Sequence, residues 1–225
     1  MKYYIPSRMK QNYDDFLKTD ICHTLYYCKD TSDSEQKWVS FRGEISPINF
    51  KSKQYSSDNS FNLRFSLDED IQKGDVILYD NQQYLVTWQV NKDKLDSKKS
   101  IIELMPYNLT FRRKSLGKPK VDSKTGNIIE QSKDNTVCVT RAMNVSGSHL
   151  ELRLKTGQPG LFAASRFTIT VQANANTKKI AVDDYFNLMG SQYVIRDILY
   201  NQLNYDSETG LIIFEVDKGI VNNEI

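Results

Sequence analysis

Gly74-Asp75-Val76-Ile77-Leu78-Tyr79-Asp80-Asn81-Gln82-Gln83-Tyr84-Leu85-Val86-Thr87 is the stretch that decides the fold, because the chain writes it twice. Asp183-Asp184-Tyr185-Phe186-Asn187-Leu188-Met189-Gly190-Ser191-Gln192-Tyr193-Val194-Ile195-Arg196 aligns with it without a gap, setting Asp75 on Asp184, Gln83 on Gln192 and Tyr84 on Tyr193. Each copy reads as an apolar strand, a tight turn and a second apolar strand. Asp80-Asn81 suits the turn because Asp and Asn tolerate the positive φ that a two-residue hairpin requires. Gly190 stands where Asn81 stands and meets the same requirement without a side chain. Arg64-Phe65 and Arg166-Phe167 lie upstream of the two copies, and a polar turn followed by an apolar strand, Ile101-Ile102-Glu103-Leu104-Met105 or Leu211-Ile212-Ile213-Phe214-Glu215-Val216, lies downstream. Self-similarity over half a chain indicates two copies of one small domain.

Working outward, Phe61-Asn62-Leu63-Arg64-Phe65-Ser66-Leu67 alternates strictly, the period of a half-buried strand. Trp38-Val39-Ser40-Phe41-Arg42-Gly43-Glu44-Ile45 does the same until Ser46-Pro47 ends it. In the second half Leu150-Glu151-Leu152-Arg153-Leu154 is the expected match of that strand. Thr136-Val137-Cys138-Val139-Thr140 is the expected match of Thr24-Leu25-Tyr26-Tyr27-Cys28, and Phe167-Thr168-Ile169-Thr170-Val171 that of Phe65-Ser66-Leu67. Near the start, Tyr13, Phe16 and Leu17 are spaced as one face of a short helix, with Asp14 and Asp15 early in it. The expected fold is all-β: two tandem similar small barrel or sandwich modules, with a short N-terminal helix and a connecting hairpin arm. The expected boundaries are an N-terminal arm at 1–20, a first module at 21–111, a basic connector or hairpin arm at 112–134 and a second module at 135–225.

Composition fits two small independent cores. Modules of roughly 110 residues sit at the common domain size and need no metal or disulfide staple. The chain has 225 residues, 39% hydrophobic residues and a net charge of +2, so bulk charge does not point to nucleic acid. No apolar run approaches the length of about 20 residues that crosses a bilayer. Met1-Lys2-Tyr3-Tyr4-Ile5-Pro6 lacks an extended apolar h-region and cleavage site, so no secretory leader is expected. The three cysteines, Cys22, Cys28 and Cys138, make an odd count and suggest no disulfide framework. A zinc site from Cys22, His23, Cys28 and Cys138 is the alternative to three buried thiols. Its six-residue step from Cys22 to Cys28 lies outside the usual knuckle spacing.

The residues that could do chemistry are sparse. His23 and His149 are the only histidines, and neither has a neighbouring nucleophile in sequence. Asp93-Lys94-Leu95-Asp96 lacks the ligand rhythm of a calcium loop. No nucleophile elbow, phosphate-cradling loop or zinc-protease helix motif is present. The expectation is a protein with no catalytic residues, cofactor or metal. Asp68, Glu69 and Asp70, and the pair Asp183-Asp184, read as solvated acidic turns. Arg112, Arg113, Lys114, Lys118 and Lys120 form the strongest charge feature. They suit contact with phosphates, an acidic protein rim or water alone, while the few nearby aromatics, Tyr107 and Phe111, make a poor base-stacking platform. A stand-alone β-barrel that binds nucleic acid or glycan is one reading; an enzyme with a reactive group near His23 or His149 is another.

The run from Lys73 to Thr87, followed by Ile102-Glu103-Leu104-Met105-Pro106-Tyr107-Asn108-Leu109-Thr110-Phe111, resembles structural proteins at the head–tail junction of tailed bacteriophages of low-GC hosts. In that group a Gly-Asp hairpin leads into a strand that ends in an Asn-aromatic signature, here Asn108-Leu109-Thr110-Phe111. Pro106 before the signature departs from the pattern, and the second copy lacks the signature. The resemblance implies a connector, head-closure or tail-adaptor protein, assembled in the host cytoplasm and resident in the virion. Its partners would be further copies of itself in a ring, the neighbouring portal and tail proteins, and DNA touched non-specifically in the lumen, with no membrane. Partner-binding positions would then be Tyr13, Phe16 and Leu17 of the N-terminal arm and Arg112, Arg113, Lys114, Lys118 and Lys120 of the connecting arm.

Overall fold

The computed structural model describes residues 22–32, 35–48, 59–92, 97–116, 120–121, 125–126, 128–129, 132–145, 167–206 and 208–219. The expected helix with Tyr13, Phe16 and Leu17, the expected strand at 150–154, and His149 and Lys118 lie outside these residues. The chain divides into two units: residues 1–105 together with 204–210, and residues 106–203 together with 211–225.

The first unit is a closed barrel of six strands. They are β1 (His23–Cys28), β2 (Val39–Pro47), β3 (Ser60–Ser66), β4 (Val76–Tyr79), β5 (Gln82–Val86) and β7 (Ser97–Leu104), with the two-residue β6 (Asn91–Lys92) added on β7. Hydrogen bonding runs β1-β2-β3-β7-β5-β4 and back to β1, every pair antiparallel. Period-two alternation sends Leu25, Phe41, Leu63, Phe65, Ile77, Tyr84, Val86 and Ile102 into one core. Phe41 sits edge-on to both Tyr27 and Phe65, at centroid distances of 5.8 and 6.1 Å, the offset geometry aromatic rings prefer. On β4 the run Val76-Ile77 is fully buried, both residues at 0% exposure, so this strand is covered on both faces at its start.

The second unit is also a closed six-stranded barrel: β8 (Tyr107–Leu116), β11 (Ser132–Val145), β12 (Phe167–Gln172), β13 (Tyr185–Leu188), β14 (Ser191–Leu199) and β15 (Leu211–Lys218). The order is β8-β11-β12-β15-β14-β13 and back to β8, all antiparallel. Phe111, Phe186 and Phe214, all fully buried, meet in its core, with Phe111 5.2 and 5.6 Å from the other two rings. Between β8 and β11 a short ladder joins β9 (Lys120–Val121) to β10 (Ile128–Ile129).

Taken in chain order, β1, β2, β3, β4, β5 and β7 occupy the same positions around the first ring as β8, β11, β12, β13, β14 and β15 occupy around the second. The expected duplication is therefore a repeat of a whole barrel topology, and all-β with two tandem barrels is the observed class. Two expected details are corrected. The counterpart of β1 is β8, not the strand through Thr136-Val137-Cys138, which belongs to β11 and matches β2. The division between units falls between Met105 and Pro106, so the expected hairpin arm at 112–134 grows out of the second barrel, with residues 112–116 paired to 132–136. The physical reason is that Leu109 and Phe111 alternate inward as core residues while the exposed cations after them mask the strand in the sequence.

Both hairpin tips have the expected backbone. Asp80 and Asn81 take φ of 48° and 57°, and Met189 and Gly190 take 49° and 76°, the double positive φ of a type I′ turn.

Candidate functional site

Each barrel carries one buried carboxylate where the chain turns into the repeated hairpin. In the first, Gly74 N–H donates to the Val86 carbonyl at 2.8 Å and Val86 N–H donates to the Asp75 carbonyl at 2.9 Å. Asp75 N–H donates to the Gln72 carbonyl at 3.1 Å, and Gln72 N–H returns a bond to Asp75 Oδ2 at 2.9 Å. In the second, Asp183 N–H donates to the Ile195 carbonyl at 3.0 Å and Ile195 N–H to the Asp184 carbonyl at 2.9 Å. Asp184 N–H donates to Ala181 at 3.2 Å, and Ala181 N–H returns a bond to Asp184 Oδ2 at 2.8 Å. The repeated aspartate thus ties the end of the preceding loop to the start of the hairpin, which is why both copies keep it. Gly74, at φ 96°, and Asp183, at φ 71°, fill the same left-handed position before it.

The two corners differ in charge compensation. Asp184 is 1% exposed and takes a bidentate pair from Arg113, Nε to Oδ1 at 2.7 Å and Nη2 to Oδ2 at 2.8 Å. Arg113 Nη2 also donates to the Lys179 carbonyl at 2.9 Å. The carboxylate holds the Arg113 pKa above its ordinary value. Asp75 is 2% exposed, and among the described residues its carboxyl has the Gln72 N–H and no cation in contact. Burial pushes its pKa up to about 7, against the Gln72 N–H and the more distant charge of Lys29, which pull it down. Register places Lys29 where Arg113 stands, because Cys28 pairs with Val76 as Arg112 pairs with Tyr185. Lys29 instead pairs with the exposed Asp70, whose pKa that hydrogen bond lowers.

This corrects the expectation that Asp183-Asp184 is a solvated acidic turn. Asp183 is exposed and meets Arg196 at 3.2 Å, but Asp184 is a buried partner. The recurrence of Asp at that one position in both copies was the available signal; the arginine that answers it lies on another strand and left none.

Three members of the expected basic cluster, Arg112, Arg113 and Lys114, make contacts within their own barrel. Arg112, Arg113 and Lys114 are consecutive on β8 and exposed. Arg113 is taken by Asp184, and Lys114 Nζ lies 5.8 Å from the Tyr185 ring centroid. The Tyr185 hydroxyl bonds both Asp134 and Arg112. Its pKa is pushed up to about 12, by burial first and then by Asp134, with Arg112 opposing. Lys120 lies on β9, and Lys118 lies outside the described residues. Beyond the Arg112–Tyr185 pairing, β8 has only β11 beside it among the described residues, so the end of this hairpin is a two-stranded ribbon.

Cys22, Cys28 and Cys138 are buried and outside any disulfide, and burial raises the pKa of Cys28 and Cys138. His23 is exposed and lies 5.2 Å from the Tyr79 ring. Among the described residues no three His, Cys, Asp or Glu side chains group as metal ligands, and no helix is long and apolar enough to cross a membrane. Large apolar side chains left in water include Trp88, Tyr205 and Met189, the last 83% exposed at the second hairpin tip.

Residues 151–217 match the family model of the YomX C-terminal domain, a phage-type family named after a Bacillus prophage protein. The match spans less than a third of the chain and takes in β12 to β15, four of the six strands of the second barrel. No match was found among curated proteins or among solved structures.

Proposed function

We propose that this chain is a structural protein of a tailed-phage virion, sited at the head–tail junction, where copies form a ring that joins the portal to the tail and lets DNA pass without catalysis. The observation that carries the phage reading is the phage-type match across β12 to β15. The junction rests on the resemblance of the Lys73–Phe111 run to that class of protein. Duplication of a closed barrel supports a scaffold role, since closure leaves no long sheet edge within each barrel. Contacts between neighbours are then made by what projects from the barrels. The ribbon that continues β8 and β11, with Lys114 on one strand and Asp134 on the other, offers unpaired strand edges for addition to a neighbour's sheet. Arg112, Lys114, Lys118 and Lys120 serve there not between copies but as contacts to an acidic rim on a neighbouring portal or tail protein, with Arg113 kept for its own barrel. Tyr13, Phe16 and Leu17 serve the same end from the N-terminal arm, and a head-to-tail contact of this kind closes a ring when the subunit rotation allows.

Deletion of residues 117–131, with a two-residue turn in their place, tests the arm. Size-exclusion chromatography with light scattering should show assemblies of the full chain that the deletion disperses, while charge neutralisation at Arg112 and Lys114 leaves them in place. Assemblies that survive the deletion and dissolve on neutralisation would overturn the strand-addition reading.

A further inference from the structure

We propose that the corner from Gln72 to Val76 is a pH-sensitive latch on the first barrel, closed when the Asp75 carboxyl is protonated and loosened when it ionises, whereas the matching corner of the second barrel is held by Arg113 and does not respond. The argument is a comparison of one device built twice. Both corners bury an aspartate almost completely, use the same four backbone and side-chain hydrogen bonds, and feed the same hairpin. One carboxylate adds two guanidinium bonds; the other adds none among the described residues. A buried carboxylate without a cation is costly, and protonation removes that cost.

The surroundings of Asp75 leave it uncompensated. Just after β1, Lys29 is the favourable charge and is committed to Asp70, while Tyr27 and Cys28 on β1 are neutral neighbours whose own pKa values Asp75 helps to raise. From the loop before β4, Asp70 opposes ionisation. In that loop Lys73 is itself lowered by burial and Glu69 is raised by it. In segment 204–210 of the same unit, Asp206 and Glu208 are exposed. Lys29 and Asp70 are thus the charges that Asp75 feels, of opposite sign, and among the described residues neither contacts the buried carboxyl.

Amide hydrogen exchange on the full chain, corrected for the intrinsic pH dependence of exchange, tests the latch. A carboxyl that titrates at about 7 when closed and about 3.8 when opened lowers the protection of Gly74 and Val86 roughly thirtyfold between pH 5.5 and 8. Asp183 and Ile195, their counterparts, should hold steady, and Asp75→Asn should abolish the fall at Gly74 and Val86. Equal falls at both corners, or a fall that persists in Asp75→Asn, would overturn the proposal. Where that variant does not fold, the side-chain carboxyl 13C titration of Asp75 in the native chain decides. A midpoint above pH 6 supports the latch and one below pH 6 overturns it.

Discussion

Replacing Arg113 with Met removes the guanidinium and keeps most of the stem, so it isolates the charge that answers Asp184. Breaking a buried ion pair from one side costs about 3–5 kcal/mol because a charge is left without compensation. Asp184 is 1% exposed, but Arg113 is 48% exposed, so water replaces part of what the guanidinium supplied and the pair is worth about 2–3 kcal/mol. Losing the bond to the Lys179 carbonyl adds about 0.5–1 kcal/mol. The expected loss is therefore about 3 kcal/mol, confined to the second unit. Urea denaturation followed by amide exchange at Ile195 and Asp183 measures it. Trp38 and Trp88, both in the first unit, give a fluorescence signal that should keep its midpoint. The double variant Arg113→Met/Asp184→Asn should recover part of the loss, since it leaves no unpaired charge. A loss under about 0.5 kcal/mol in the single variant, or a double variant worse than the sum of the two single changes, would refute the reasoning.

Phe111→Ala empties the centre of the second core, where the ring meets Phe186 and Phe214, and should cost about 3–5 kcal/mol by chemical denaturation. Met189→Asn gives the second hairpin tip the Asn-Gly pair that suits its two positive φ angles and removes an exposed apolar side chain; a gain of about 0.5–1 kcal/mol is expected in the melting of that unit. Asp75 makes the first unit less stable as pH rises. Its folded value of about 7 lies above the unfolded 3.8, so the native state holds the extra proton between them. Stability is fully present well below pH 3.8 and is lower by about 4 kcal/mol once pH has passed 7. Asp75→Asn should flatten that slope in a pH series of urea melts, and an unchanged slope would count against the burial of that charge.

The hairpin was legible because its requirements leave named residues behind: positive φ selects Asp, Asn or Gly at the tip, and the corner selects an aspartate. The rest of the duplication was hidden for two reasons. Inward positions of a strand accept any apolar residue, so Tyr27 and Phe111 or Phe65 and Val171 share no spelling even where they do the same work. Loops between equivalent strands also differ in length, which breaks the alignment upstream of the hairpin, most of all between β8 and β11. The run Arg112-Arg113-Lys114 misled for a related reason. Charge in sequence suggests solvent, yet one of these cations neutralises a buried acid and the other two reach Tyr185. Partners that meet only across a barrel leave no spacing to read.

The central claim is assembly, and mass photometry with negative-stain imaging of the full chain over a concentration series tests it most directly. The account predicts closed rings of uniform size that persist on dilution, with the barrels as the visible lobes. A strict monomer at every concentration, unchanged when the neighbouring phage junction proteins are supplied, would contradict it.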